Sequence, residues 1–316
     1  MTGVVLSLGE ALVSLRSAAP LAMGGPLSMH AAGAELNVAV GLARLGHASG
    51  WAGVLGDDEL GTFILRSLAA ENVDTAGVRR TSLPTAILFL EARTPDVSRV
   101  FYHRKGAAGT ALGMHDVDRM LDREVAWLHL TGITPALSEG ARAATLHAAQ
   151  ICRDRGIPFS LDVNFRSKLW SAQEAGTVLP WLAEGAAVVI GSEDELALVA
   201  PAGATDSVEA AAVELLAAGA EDVVVKLGAR GAAAYTATGR AEAPAFAVSV
   251  RDTVGAGDAF TAGYLSARLD LLDVPGRLRR GTALGAFAVG SHGDWEGLPR
   301  RDELGLLDTE SGEPHR

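Results

Sequence analysis

The chain has 316 residues, 48% of them hydrophobic and 21% charged, enough to bury a large core in one big α/β domain or two smaller ones. A formal net charge of −11 without any Lys/Arg-rich run excludes a polyanion-binding surface, so neither nucleic acid nor an anionic membrane is an expected partner. The single cysteine, Cys152, excludes an intrachain disulfide, and the lack of an apolar run of membrane-spanning length points to a cytoplasmic enzyme.

In chain order, Val4-Val5-Leu6-Ser7-Leu8-Gly9 lacks a basic flank and is broken by Glu10, so it reads as a first strand and not as a signal peptide. Residues 10–32 carry turn residues and alternation without helical periodicity. Leu36, Ala39, Val40 and Ala43 then fall at helical spacing, as do Leu60, Phe63, Ile64 and Leu68 farther on. Strands are expected at 4–9, 49–55, 126–131, 158–163, 186–191 and 222–227, each leading to a helical segment. A second stretch without that rhythm covers 81–106. Cys152 lies in a helix expected around 139–155, as a small apolar filler. Continuous apolar strands such as Ala187-Val188-Val189-Ile190 suggest a parallel sheet with helices on both faces. The polar tail from Thr309 is expected to be disordered.

The most informative run comes late: Asp252-Thr253-Val254-Gly255-Ala256-Gly257-Asp258-Ala259-Phe260. Glycines let backbone N–H groups approach a ligand, and a helix N-terminus adds a field that favours anions. A carboxylate at its rim would complete what phosphoryl transfer to an alcohol needs: a cradle for the phosphoryl group and a base for the hydroxyl proton. On local physics alone, an acidic first turn that merely complements the helix dipole is as good a reading. A dinucleotide fingerprint fails because Phe260 occupies its last glycine position, and no P-loop run occurs. Three other clusters have equally bland alternatives. Arg166, after Asp162-Val163-Asn164-Phe165, could be a surface ion-pair partner, and Tyr102-His103-Arg104-Lys105 a charged edge strand. Ser192 with Glu195 has the form of a capping box, as has Ser171 with Glu174.

The late run is similar to the C-terminal signature of the ribokinase-like (phosphofructokinase-B) sugar kinases, and Gly33-Ala34-Glu35-Leu36-Asn37-Val38-Ala39 resembles their N-terminal signature. Residues 100–106, 128–138, 160–166 and 293–297 look like one subgroup, the 2-keto-3-deoxygluconate kinases, and the similarity runs over almost the whole chain. The resemblance implies a three-layer α/β/α core with a mostly parallel sheet, forming a single kinase domain over 1–308. The segments 10–32 and 81–106 would supply the strands of a small β lid. It also implies ATP and Mg²⁺ as cofactors, room for a monovalent cation, a homo-oligomer, and phosphorylation of the sugar acid's 6-hydroxyl. Asp258 would be the base, with Gly255, Ala256 and Gly257 forming the anion hole. Gly33, Ala34, Asn37, Tyr102, Arg104, Arg166 and Asp294 would bind the sugar acid. Asn164, Ser192, Lys226, Gly228, Gly231 and Thr282 would serve the nucleotide, and Glu195 would reach Mg²⁺ through water.

Three departures from the pattern stand out. Ser192 replaces an Asn, His103 a second lid tyrosine, and Thr282 an Asn on the adenine side. Two alternatives accompany the resemblance: a fructokinase or other sugar kinase of the same family, and a catalytically silent sugar-binding regulator. Fructokinases tend to read G-A-P-A-N-V-A where this chain has Glu35-Leu36, and a sensor has no need of Asp258 beside an anion hole.

Overall fold

The computed structural model describes residues 3–94, 97–200 and 207–308, so the tail expected from Thr309 lies outside the described residues. β1 (Val4–Leu8) leads through Gly9 into β2 (Leu12–Ser17), and β3 (Ser28–Ala32) returns beside it to start α1 (Ala34–Arg44). The expected strand at 49–55 is divided into β4 (Ser49–Ala52) and β5 (Val54–Gly56). A Cβ on the intervening Gly53 would overlap the Gly9 carbonyl, so the chain bends there and the second half leaves the main sheet. α2 (Glu59–Ala70) opens with the Asp58 side chain accepting from Gly61 N. β6 (Arg79–Thr81), β7 (Ala86–Thr94) and β8 (Val97–His103) follow.

After α3 (Met114–Leu121) and β9 (Val125–Thr131), α4 (Glu139–Arg155) runs from a Ser138 cap to Gly156 in the left-handed region, close to the expected 139–155. β10 (Phe159–Asp162) precedes α5 (Ala172–Ala183), which Ser171 and Glu174 open as a reciprocal capping box. β11 (Val188–Ser192), the single turn α6 (Glu193–Leu196), α7 (Val208–Ala217) and β12 (Asp222–Lys226) complete the βα rhythm. A hairpin of β13 (Ala232–Thr236) and β14 (Gly239–Ala243) comes next, then α8 (Ala256–Leu269) and α9 (Val274–Val289).

The main sheet has the order β14-β13-β12-β11-β10-β9-β1-β4. It is parallel from β4 to β12, with β13 and β14 antiparallel at one edge. Strand alternation sorts its side chains into two cores. Leu6, Leu8, Leu128, Leu130 and Val189 pack with α3, α4, α5 and α7, whereas Val5, Trp127, Val188 and Ile190 pack with α1, α8 and α9. Cys152 is buried in the first of these cores, as a filler. The architecture is therefore the expected three-layer α/β/α. A second sheet, β3-β2-β7-β8, is drawn from within 10–32 and 81–106, the two segments expected to supply the lid. β6, which ends at the first residue of that second segment, pairs with β5 instead.

Candidate active site

The carboxyl ends of β1, β9, β10 and β12 meet the lid sheet and the first turn of α8 around a cavity of about 1170 Å³. Ligands bind open α/β sheets at this edge because helix N-termini and strand ends converge there. Gly33, Ala34, Asn37, Tyr102, Arg104, Asn164, Arg166, Glu195, Lys226, Gly255, Gly257, Asp258 and Asp294 all line this one cavity.

Gly255 caps α8 with φ 75°, and a Cβ on it would overlap the carbonyl of Asp294, so the position requires glycine. No side chain caps this helix. The N–H groups of Gly255, Gly257 and Asp258 have no hydrogen-bond partner among the described residues. Ala256, expected among the anion-hole donors, instead turns its N–H to the Thr253 carbonyl (3.4 Å). Three unmatched donors at a positive helix end are an arrangement that can hold an anion.

Asp258 is buried in that first turn. Its Oδ2 accepts from Asn37 Nδ2 at 2.7 Å and its Oδ1 from Asn164 Nδ2 at 3.3 Å. Asn164 is itself held at φ 39°, an uncommon conformation for a side-chain-bearing residue and one that aims its amide at the carboxylate. Burial raises the Asp258 pKa above the usual aspartate range, Asp162 adds to the rise, and Asn37, Lys226 and Arg166 oppose it. A carboxylate so perturbed is a stronger base than an exposed one.

Lys226, at the end of β12, has its Nζ 2.8 Å from both Asp162 oxygens and lies against Gly257. Burial alone would lower its pKa, but Asp162, Glu195 and Asp258 outweigh it, so the ammonium stays charged beside the anion site. Thr261 Oγ1 also donates to Asp162, at 2.9 Å. The Arg166 side chain makes no hydrogen bond or ion pair among the described residues and is an exposed cation on the cavity wall. Glu195 accepts from Phe165 N and Ser192 N, both at 2.8 Å, while Ser192 Oγ caps α6.

On the lid side, Arg104 lies over the Tyr102 ring at 4.1 Å and 3.3 Å from Glu10. Buried Glu10 thus shares the charge that Arg104 presents to the cavity. Burial raises the Glu10 pKa, with Arg104 opposing. Arg16 pairs with Asp252 at 2.7 Å and with Asp294 at 2.6 Å. Asp294 has its pKa raised to about 6 by burial, against the pull of Arg16. Six buried polar atoms of the lining residues, Glu10 Oε1, Ser14 Oγ, Arg16 Nε, Glu35 Oε2, Asn37 Oδ1 and Arg104 Nε, have no partner among the described residues.

Not every expected residue is gathered here. Ser192, Gly228, Gly231, Ala256 and Thr282 are not part of the cavity lining. Gly231, at φ 101°, abuts the Ala243 carbonyl in the turn after β12, and Thr282 donates to the Arg279 carbonyl on α9. Sequence reasoning missed Glu10, Ser14, Arg16 and Glu35. The first three had a signal: Glu10, Leu12, Ser14 and Arg16 alternate, and all four line the cavity. Glu35 Oε1 accepts from Thr131 at 2.6 Å and Thr134 at 2.7 Å, and burial raises its pKa to about 7.

The profile of the pfkB family carbohydrate kinases matches residues 5–301. The 2-dehydro-3-deoxygluconokinase of Bacillus subtilis (strain 168) is 37% identical over 288 residues, covering 86% of this chain and 85% of that protein. The 2-dehydro-3-deoxygluconokinase of Thermoproteus tenax is 33% identical over 306 residues, covering 93% and 91%. A putative ribokinase II from E. coli, solved in complex with ATP and Mg²⁺, superposes with a TM-score of 0.87 at 26% identity, over 98% of this chain and 99% of that one. Among the described residues no helix is long and apolar enough to cross a membrane.

Proposed function

The chain belongs to the pfkB family of carbohydrate kinases, and from that premise we propose that it transfers the terminal phosphoryl group of ATP to the 6-hydroxyl of 2-keto-3-deoxygluconate. The observation that carries this reading is Asp258, a buried carboxylate between two amides, one residue from unmatched N–H donors on a helix N-terminus. Asp258 takes the proton of the attacking hydroxyl as its oxygen bonds to phosphorus and the bond to the departing ADP breaks. The N–H groups of Gly255, Gly257 and Asp258 stabilise the charge on the transferring group, and Lys226 adds a fixed positive charge alongside.

The substrate class follows from the lining. Six orphaned polar atoms call for a ligand rich in hydroxyls, because a buried group without a partner costs about 1–3 kcal/mol. Asn37 and Asp294 suit those hydroxyls, with Gly33 and Ala34 allowing close approach. Unpaired Arg166 suits the carboxylate of a sugar acid or a phosphate, and Arg104 with Tyr102 would close on the substrate from the lid.

Magnesium, brought with the nucleotide, would neutralise phosphate charge. No group of three acidic or His/Cys side chains among the described residues could hold it directly. Glu195, whose two oxygens each accept one N–H, retains the capacity to hold it through water. Exposed Met29, Val97 and Phe101 on the lid support self-association through that sheet.

A coupled assay over a panel of sugar acids and neutral hexoses with Mg-ATP tests the reading. The highest kcat/KM is expected with 2-keto-3-deoxygluconate, whereas a preference for fructose would replace the substrate assignment.

A further inference from the structure

We propose that Arg16, carried on lid strand β2, is a positioning residue for the reaction: it holds Asp252 and Asp294 in one frame and so couples the lid to the substrate and anion sites. The proposal rests on the reading of Asp294 as acceptor for a substrate hydroxyl.

Arg16 is remote in sequence from both partners, yet its Nη1 is 2.7 Å from Asp252 Oδ2 and its Nη2 is 2.6 Å from Asp294 Oδ2. One planar guanidinium bridges two carboxylates, a geometry that a lysine point charge cannot reproduce. The three side chains are 11%, 17% and 7% exposed, so the pairs are shielded from solvent and each depends on the other partners staying in place. The third nitrogen, Nε, is buried without a partner on the cavity wall and adds a donor there.

Each carboxylate controls something beyond itself. Asp252 accepts from Val254 N through its other oxygen at 3.0 Å, fixing the loop that runs into the anion hole. The Asp294 carbonyl abuts Gly255, so a shift of Asp294 disturbs the left-handed turn that starts α8. Asp294 keeps Oδ1 for a hydroxyl while Oδ2 is held by Arg16.

The charges facing Asp294 make its dependence on Arg16 readable in pH. Among the described residues Arg16 from β2 is the cation that pulls the Asp294 pKa down, while Glu296 from its own segment and Asp258 from α8 push it up. Without Arg16, Asp294 binds its proton up to a higher pH.

The experiment compares the full-length enzyme with Arg16→Gln, Arg16→Lys and Asp294→Asn, measuring kcat, KM and the calorimetric Kd for 2-keto-3-deoxygluconate from pH 5 to 9. Arg16→Gln is expected to raise KM and Kd about tenfold or more at pH 7.5, with a smaller change in kcat, as for the loss of a charged hydrogen bond. Binding in the wild type should weaken as pH falls through about 6, and in Arg16→Gln that weakening should begin at higher pH. Arg16→Lys, which keeps the charge but not the fork, should raise KM while leaving the pH at which binding weakens near the wild-type value. It carries the test if the Gln variant does not fold.

A lowered melting temperature in Arg16→Gln with Kd and its pH dependence intact would make Arg16 merely structural and overturn the proposal. Unchanged Kd in Asp294→Asn would instead remove the reading of Asp294 on which the proposal rests.

Discussion

Asp258 and its two amides set the first prediction at the scale of single residues. Asp258→Asn should fold, because Asn37 has an unpartnered Oδ1 and can turn its amide to accept from the new side chain. Sugar and nucleotide should still bind, while kcat falls by about 10²–10⁴-fold, the usual worth of a general base. Wild-type turnover in this variant would remove Asp258 from that role. Glu35 gives a second prediction, in stability. Its folded pKa, about 7, lies above the unfolded value near 4.5, so its stabilising contribution is complete below pH 4.5 and is lost as pH rises through 7. The loss amounts to roughly 3 kcal/mol at about 1.4 kcal/mol per unit. Glu35→Gln keeps an acceptor for Thr131 and Thr134 without the buried charge. Its melting temperature should match or exceed the wild type at pH 8 and lose that advantage at pH 5; the same pH dependence in both proteins would refute the buried charge. Asp258 was legible in the sequence because its signal is local, glycines and a helix start around one carboxylate. Glu35 was not, since an acid in a helix's first turn looks like an ordinary dipole partner until β9 closes over it.

At the scale of elements, the N-terminus of α8 depends on one backbone conformation. Gly255 has φ 75°, and a Cβ would run into the Asp294 carbonyl. Gly255→Ala should therefore cost more than the roughly 1–2 kcal/mol of a left-handed residue, because the Asp294 segment must move as well. Denaturant unfolding should show that loss, and kcat should fall together with it as the unmatched N–H groups lose their common direction. A variant with normal kcat would mean that the turn does not shape the anion site. Elements with strong periodicity were readable in advance, α4 most clearly, as its spacing, Ser138 cap and terminal Gly156 agree. After β12 the glycines at 228 and 231 suit a strand–turn–strand, as found in β13, but β14 was not readable, because Gly239-Arg240-Ala241-Glu242-Ala243 has little strand preference and becomes a strand through pairing with β13. The division of β4 from β5 was equally hidden, since it depends on how closely Gly53 approaches Gly9, two residues that the sequence alone does not bring together.

At the scale of the whole molecule, the lid is fastened unevenly, and this gives the last prediction. β2 and β3 are tied to the core by Arg16 to Asp252 and Asp294, by Trp295 Nε1 to the Ala31 carbonyl at 2.8 Å, and by His30 to Glu296 at 2.6 Å. β7 pairs with β2, but β8 is an edge strand with exposed Val97, Phe101 and Tyr102, and the lid's own core is a small cluster around Leu12, Ala86 and Leu88. Local opening follows such differences in burial and tethering, so β8 should open most readily without substrate. Tyr102 and Arg104, at the end of this hairpin, line the cavity, so a bound sugar acid should order it. Hydrogen exchange with and without 2-keto-3-deoxygluconate should therefore show new protection over 86–104 and much less change over 28–32, where the ties already exist. In Arg16→Gln the 12–17 window should join the region that gains protection, since its main tether to the core is gone. Protection confined to α8, with the lid unchanged, would mean that the small sheet is a fixed wall and not a moving cover.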